Sequence, residues 1–356
     1  MSNAYHTLIL GASYGSLLGT KLLLAGHPVT LVCTASTAEL INTEGTRVRL
    51  SVRGRDQLVE VDSRNAPAQL AAATPDQVNP EDYDLIVMGM QEPQYGSPGV
   101  RELMGRIATA RIPCMAIMNM PPLPFLKRIP GLSTDELVQC YAEPGVWAAM
   151  DPALVTLASP DPQAFRPPEE GKNVLQVSLP TNFKVARFDS EQHTEMLRQM
   201  QSDIDGIRID VDGESVELPV KLKVHDSVFV PLAKWSMLMT GNYRCVKRDE
   251  MIPIQDAVHS DIDASRAIYD WVGDLCGKLG AAPADQVPFE KYANAANGLA
   301  KPSSAARALF SGATNIERVD CLVKQISRQL GMQQNSVDEI VGLVDYHLKR
   351  NREHAK

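Results

Sequence analysis

Three groups of residues have the types and spacing to do chemistry. The first is a turn of mostly small residues, Gly11-Ala12-Ser13-Tyr14-Gly15-Ser16. It lies between an apolar run at 8–10 and a segment with leucines at helical spacing (Leu17, Leu18, Leu22, Leu24). Such a turn lets the backbone approach a pyrophosphate and offers it the unbonded N–H groups of a helix N-terminus. The second is Lys234, the one basic residue in the apolar stretch 228–240. An amine there either loses its charge through burial and becomes a proton donor or imine-forming amine, or it snorkels from the helix edge. The third is Asn119, just past the apolar run 112–118 and ahead of Pro121, Pro122, Pro124 and Pro130. That is the expected carboxyl end of a strand, where open α/β sheets hold their ligands.

The elements that must position these residues follow from the apolar pattern. The stretch 5–33 reads as strand, turn, helix, strand, with Gly26-His27-Pro28 ending the helix. This is the first half of a dinucleotide-binding βαβ unit, although the turn spells G-x-x-x-G and not G-x-G-x-x-G. A short helix over 36–44, closed by Gly45, precedes alternating apolar residues (Val48, Leu50, Val52; Val59, Val61) that read as strand. Continuous apolar runs at 84–89 and 112–118 read as buried parallel strands, with a helix over 99–110 between them. Strands alternating with helices predict a Rossmann-type doubly wound sheet.

Residues 145–220 carry short β-like runs parted by proline-rich loops, with a helix over 191–201 and an exposed, lid-like connection at 159–171. The run Asp203, Asp205, Asp210, Asp212, Glu214 reads as a solvated hairpin. From about 222 onward the pattern is helical: a buried central helix over 228–240, then three apolar stripes. These are Ile268/Trp271/Val272/Leu275/Leu279, Ile316/Val319/Val323/Ile326/Leu330 and Ile340/Val341/Val344/Leu348. The expected division is a nucleotide-binding domain at 1–215 and an all-helical substrate and dimerisation domain at 216–356. His225 and Asp226, ahead of the central helix, read as a cap and its neighbour or as a proton-relay pair.

At 356 residues, 44% apolar and 22% charged, the chain has room for two cored domains. A net charge of -8 and the lack of any Lys/Arg cluster exclude nucleic acid and anionic membrane as natural partners. The six cysteines show neither CxxC pairs nor Cys/His ligand spacing, so reduced thiols are expected and no metal site. No run reaches membrane-spanning length and no signal-peptide core opens the chain, so the expectation is a cytoplasmic protein. An NAD site usually places Asp or Glu at the end of the second strand. Here the chain reads Cys33-Thr34-Ala35-Ser36, which points towards NADP; the Thr34 and Ser36 hydroxyls either bind its phosphate or cap the next helix.

A Rossmann-type half followed by such a helical half resembles the ketopantoate reductase (2-dehydropantoate 2-reductase) family. Three patches carry the likeness: the glycine turn through Ala25-Gly26-His27 to Val32, the Met118-Asn119-Met120-Pro121 segment, and KPSSAARALFSGATNIERVDCLVKQISRQLG at 301–331. The resemblance implies an NADP-dependent reductase of a small 2-oxo acid, with the site in an interdomain cleft. It implies cofactor contacts at Gly11, Ser13, Tyr14, Gly15 and Ser16, and it overlays the lysine that family members use after the fourth strand on Gln91. It gives Asn119 a contact to nicotinamide or substrate and Ser304 a contact to substrate. The family's catalytic lysine overlays Met237 in one register; another register overlays Lys234 and brings Asn242 onto a family asparagine. The family's substrate-holding glutamate overlays Asn315, with Glu317 on a neighbouring aspartate. Apolar helices in the second half fit a homodimer. An imine or opine-type reductase and a non-catalytic nucleotide-binding relative remain as alternatives.

Overall fold

A computed structural model describes residues 4–355. Strand β1 (Thr7–Leu10), helix α1 (Gly15–Leu24) and strand β2 (Val29–Val32) form the expected opening. Helix α2 (Ala35–Glu44) follows, then β3 (Arg47–Leu50), β4 (Val59–Asp62), β5 (Leu70–Ala73) and β6 (Leu85–Met88). Helix α3 (Val100–Ala110) leads to β7 (Cys114–Ile117) and the short α4 (Leu123–Leu126). Next come β8 (Val155–Ser159), β9 (Gln163–Phe165), β10 (Val174–Leu179), β11 (Phe183–Ala186) and α5 (Glu191–Asp205). The hairpin of β12 (Ile209–Val211) and β13 (Glu214–Val216) precedes β14 (Leu222–His225).

Eight strands form one sheet in the order β14-β11-β8-β7-β6-β1-β2-β5, and every pair in it is parallel except β8 with β11. From β1 the chain runs out through β2 to β5, then crosses to β6 on the other flank. The switch point where such sheets bind ligands therefore lies at the carboxyl ends of β1 and β6. Strands β1, β6 and β7 are buried along their whole length, which is why they read as unbroken apolar runs and not as alternations. A second sheet has the order β4-β3-β10-β9. Its strand β9 falls inside the 159–171 stretch expected to be a loop; Pro160, Pro162 and Pro167 flank it and mask a three-residue edge strand paired with β10. The acidic run does form a hairpin, turning at Asp212 (φ 56°) and Gly213 (φ 81°).

Packing divides the chain at 226/227 and not at 215/216. The first unit holds residues up to 90, 94–118 and 146–226; the second holds 91–93, 119–145 and everything from 227 onward. Strand β14 belongs to the main sheet, which carries the first unit past 215. The excursions after β6 and β7 belong to the second unit, and they contribute buried Phe125, Leu126 and Leu137.

The second unit is helical. Its central segment is one irregular helix: a 3-10 turn (Val230–Ala233), α6 (Lys234–Met237), a π turn (Leu238–Asn242) and a further 3-10 turn (Tyr243–Cys245). It starts two residues later than expected and runs beyond Thr240. Gly241 lies in the π turn and makes room for Tyr292: a Cβ there would collide with the Tyr292 hydroxyl, which donates to the Met237 carbonyl at 3.1 Å. Around it lie α7 (Ile254–His259), α8 (Ile262–Leu279), α9 (Phe289–Ala296), α10 (Ser304–Phe310), α11 (Val319–Gln329) and α12 (Asn335–His354). The three apolar stripes lie on α8, α11 and α12. Asp261 caps α8 by accepting from the Ala264 amide at 2.9 Å, and Gly280 (φ 117°) ends it.

Candidate functional site

In the first unit the glycine turn has the geometry its residue types suggest. Gly11 sits at φ 103°, and a Cβ on it would lie 2.7 Å from Met90 Cγ and 3.1 Å from the Gly89 carbonyl. Gly15 opens α1, and a Cβ there would lie 2.5 Å from Ile9 Cγ2. It therefore does the helix-to-strand packing of the third glycine in the longer fingerprint. The Ser16 hydroxyl donates to the Ser13 carbonyl at 2.8 Å, tightening the turn. The Tyr14 hydroxyl donates to the Pro162 carbonyl at 2.6 Å, and its ring packs edge-on against Phe183. Tyr14 and Ser16 thus shape the turn with their side chains, and the Ser16 and Leu17 amides donate within it to the Ser13 (3.3 Å) and Tyr14 (3.1 Å) carbonyls.

At the end of β2, Thr34 and Ser36 are exposed, and the Thr34 hydroxyl donates to that of Thr37 at 3.0 Å. Neither side chain caps α2. Beside them lies a basic group that sequence spacing did not reveal. Burial pushes the Cys33 thiol up to about 11, while the nearby Arg166 guanidinium acts in the opposite direction. Arg166 is half-buried and immediately follows β9; burial lowers its pKa. The strap that carries it is anchored to the glycine turn by the Tyr14–Pro162 hydrogen bond. Only the fold could bring position 166 to position 33.

In the second unit a pocket of about 390 Å³, counting its open mouth, is walled by Gln91, Asn119, Leu238, Asn242, Tyr243, Ser304, Ala305, Ala308, Ile316 and Glu317. Four expected site residues meet here: Asn119, Asn242, Ser304 and Gln91. Gln91 is on this wall because the 91–93 segment packs into the helical unit. The π turn sets Asn242 on the wall, and α10 starts at Ser304 beside it. Ser303 caps that helix, accepting from the Ala306 amide at 3.1 Å and donating to the Asn242 carbonyl at 2.7 Å.

Two expected site residues lie off this wall. Asn315 is exposed and its Oδ1 accepts from Arg352 at 3.0 Å; the segment turns so that Glu317, two residues on, faces the pocket. Lys234 is partly exposed and absent from the pocket wall, one turn before Leu238, which is on it. Met237, the other candidate for that position, is also off the wall, and its neighbour Trp235 is fully buried.

Glu317 is the chemically distinctive group. It is 8% exposed, and its Oε2 accepts from Asn119 Nδ2 at 3.3 Å. Burial raises its pKa to about 7, and the Glu92 carboxylate pushes the same way. Asn119 and the amides of Glu92 and Met120 pull it down, yet Oε1 is left without a well-formed hydrogen bond. Glu92 itself is fully buried and accepts from the amides of Ala142 (3.0 Å) and Glu143 (3.1 Å). The pocket thus presents a carboxyl that is half-protonated near neutrality, held by an amide, with further amide and hydroxyl groups around it. Such a group can give or take a proton at pH 7.

Elsewhere the chemistry is structural. Asp226 pairs with Arg198 at 2.7 Å, so it is engaged in a surface ion pair. Among the described residues no group of three or more His, Cys, Asp or Glu side chains could hold a metal. No helix is long and apolar enough to cross a membrane.

The chain joins in sequence a Rossmann-type sheet unit with a glycine turn and a helical unit with a carboxyl–amide pocket. No protein-family model and no curated protein matches the sequence. Solved structures match along nearly the whole chain. The 2-dehydropantoate 2-reductase of Methylococcus capsulatus is 12% identical with a TM-score of 0.66, covering 97% of each chain. A dimeric ketopantoate reductase of Staphylococcus aureus is 9% identical with a TM-score of 0.61, covering 97% of this chain and 99% of that one. D-mandelate dehydrogenase, solved with NADH and anilino(oxo)acetate, is 13% identical with a TM-score of 0.62, covering 98% and 99%. The chain has the ketopantoate reductase fold.

Proposed function

We propose that the protein is an NADP-dependent oxidoreductase that reduces a small 2-oxo-acid-like carbonyl. The observation that carries this reading is Glu317, a buried carboxyl with a pKa of about 7, next to Asn119 on a pocket wall within the ketopantoate reductase fold. The first unit's residues fit a dinucleotide. Gly11, Ser13, Tyr14, Gly15 and Ser16 form the turn for its pyrophosphate, Thr34 and Ser36 face its ribose, and Arg166 supports a 2′-phosphate. When bound, the nicotinamide would supply the hydride. The protein's own task is to place the carbonyl and deliver a proton to its oxygen as negative charge develops there. Glu317 donates that proton, Asn119 orients the Glu317 carboxyl, and Asn242 and Ser304 hydrogen-bond the substrate. This assigns to Glu317 the role expected of Lys234.

Steady-state reduction of a panel of 2-oxo acids with NADPH tests the assignment. Glu317→Gln should lower kcat by about 10²–10⁴-fold, the usual worth of a positioned proton donor. Lys234→Ala should retain most of the turnover; the reverse ranking would return the role to Lys234. The absence of a lysine from the pocket wall also favours a second reading, an imine or opine-type reduction, because an imine can arrive already protonated. Turnover that depends on an added amine would identify it. A homodimer, the state of the Staphylococcus aureus protein, is the expected assembly.

A further inference from the structure

Two cysteines of the second unit stand apart from the other four. Cys140 and Cys321, 181 residues apart in sequence, have their Sγ atoms 3.1 Å from each other. Cys140 ends the turn Asp135–Cys140 and is 4% exposed; Cys321 is the third residue of α11 and is partly exposed. The hydrogen bond from Cys140 lowers the Cys321 thiol pKa, and Arg318 adds to this, whereas burial raises it. Every other cysteine is shifted upward: Cys33 to about 11, Cys114 and Cys276 to about 12, and Cys140 and Cys245 in the same direction. The position near a helix N-terminus favours a thiolate as well.

We infer that Cys140 and Cys321 form a reversible disulfide next to the Glu317 pocket, made by reaction with a hydroperoxide. The sulfurs need to close by about 1 Å to reach bonding distance. The Cys321 thiolate attacks a peroxide oxygen; the O–O bond breaks and the departing hydroxide takes a proton to leave as water. Cys321 is then a sulfenic acid. The Cys140 sulfur attacks it, the S–S bond forms, the S–O bond breaks, and the leaving hydroxide takes the Cys140 proton. Two thiols are oxidised and one hydrogen peroxide is reduced to two waters. Cys321 is the accessible attacking thiol and buried Cys140 the resolving one.

The location gives the bond a consequence. Tyr141, next to Cys140, donates its hydroxyl to the Pro121 carbonyl at 2.5 Å, and the following amides of Ala142 and Glu143 hold Glu92. Glu317 lies four residues before Cys321. A disulfide would therefore fasten the segment holding Glu92 to the helix that follows Glu317.

The test is made on the full chain. The reduced protein is treated with a small excess of hydrogen peroxide, free thiols are alkylated, and the protein is digested without reductant. The expected result is loss of the mass of two hydrogens, a linked peptide pair containing Cys140 and Cys321, and full reversal by dithiothreitol. In Cys321→Ser the linkage should vanish while the other four cysteines alkylate as before. The inference is overturned if Cys140 and Cys321 both remain alkylatable after peroxide. It is equally overturned if Cys321 advances to a sulfinic acid with Cys140 still free, or if the bonds formed join separate chains. None of these readouts depends on the proposed reduction, so the two proposals fail independently.

Discussion

Glu317 shows how surroundings change the acidity of a side chain. Taken from water it would titrate near the ordinary carboxyl value; burial and the neighbouring Glu92 move it to about 7. The same shift has a sign for stability. The folded protein holds this proton to a higher pH than the unfolded chain does. Its stabilising contribution is complete below the unfolded pKa near 4.5 and is lost as pH rises through 7. Chemical denaturation of Glu317→Gln should therefore show a flatter profile from pH 5 to 8, with the variant gaining at pH 8 by about 3 kcal/mol at most. Arg166 makes a second prediction at this scale. Removing a charge-assisted phosphate contact typically costs about 10–100-fold in affinity, so Arg166→Ala should weaken NADPH binding by that much and leave NADH unchanged. Asn119 is placed by its offset from a strand end, whereas Asn242 and Ser304 come from the family resemblance; all three lie on the one pocket wall. Glu317 was displaced by two residues from the expected position because 315–318 is an irregular approach to α11, where spacing does not determine direction. Arg166 left no trace in the sequence, since its role depends on a strap that crosses from the second sheet.

At the scale of elements, the glycine turn and the central helix make firm predictions. Ile9 is fully buried, so a methyl group at Gly15 has nowhere to go without moving β1. Gly15→Ala should destabilise by about 1–3 kcal/mol, read as a lower denaturant midpoint with unchanged slope. Helix α1 also contains Lys21, which is 1% exposed and donates to the carbonyls of Leu218 (3.4 Å) and Pro219 (3.0 Å). Burial lowers its pKa from 10.5 to about 7. Between those values the unfolded chain binds the proton and the folded chain does not, so stability should rise with pH across that window. Lys21→Met should flatten the rise; an unchanged slope in the variant would assign it to other groups. Most elements were readable from the apolar pattern, the buried strands as unbroken runs and the α8, α11 and α12 stripes by helical period. The exceptions are β9, too short and proline-flanked to alternate, and the π turn at 238–242, which has no period of its own in the sequence.

At the scale of the molecule, the order of elements was readable and the assignment of segments to units was not. Composition changes where strands give way to helices, near 216–222, yet membership is decided by packing. Strand β14 extends the first unit to 226, and the excursions at 91–93 and 119–145 join the second, the former through Glu92 bonded to the Ala142 and Glu143 amides and the latter through buried Phe125, Leu126 and Leu137. This matters for function, since Gln91 and Asn119 reach the Glu317 pocket through those excursions. The fold matches that of the Methylococcus capsulatus 2-dehydropantoate 2-reductase along 97% of the chain at 12% identity, so shared topology supports the resemblance where identity is low. The central claim is that this fold still works with NADPH. The most direct measurement is a fluorescence titration of the purified protein with NADPH and, in parallel, with NADH. Saturable NADPH binding, much tighter than NADH binding and weakened by Arg166→Ala, is the expected result. Failure to bind either nucleotide would contradict it, and would leave the glycine turn as a packing device alone.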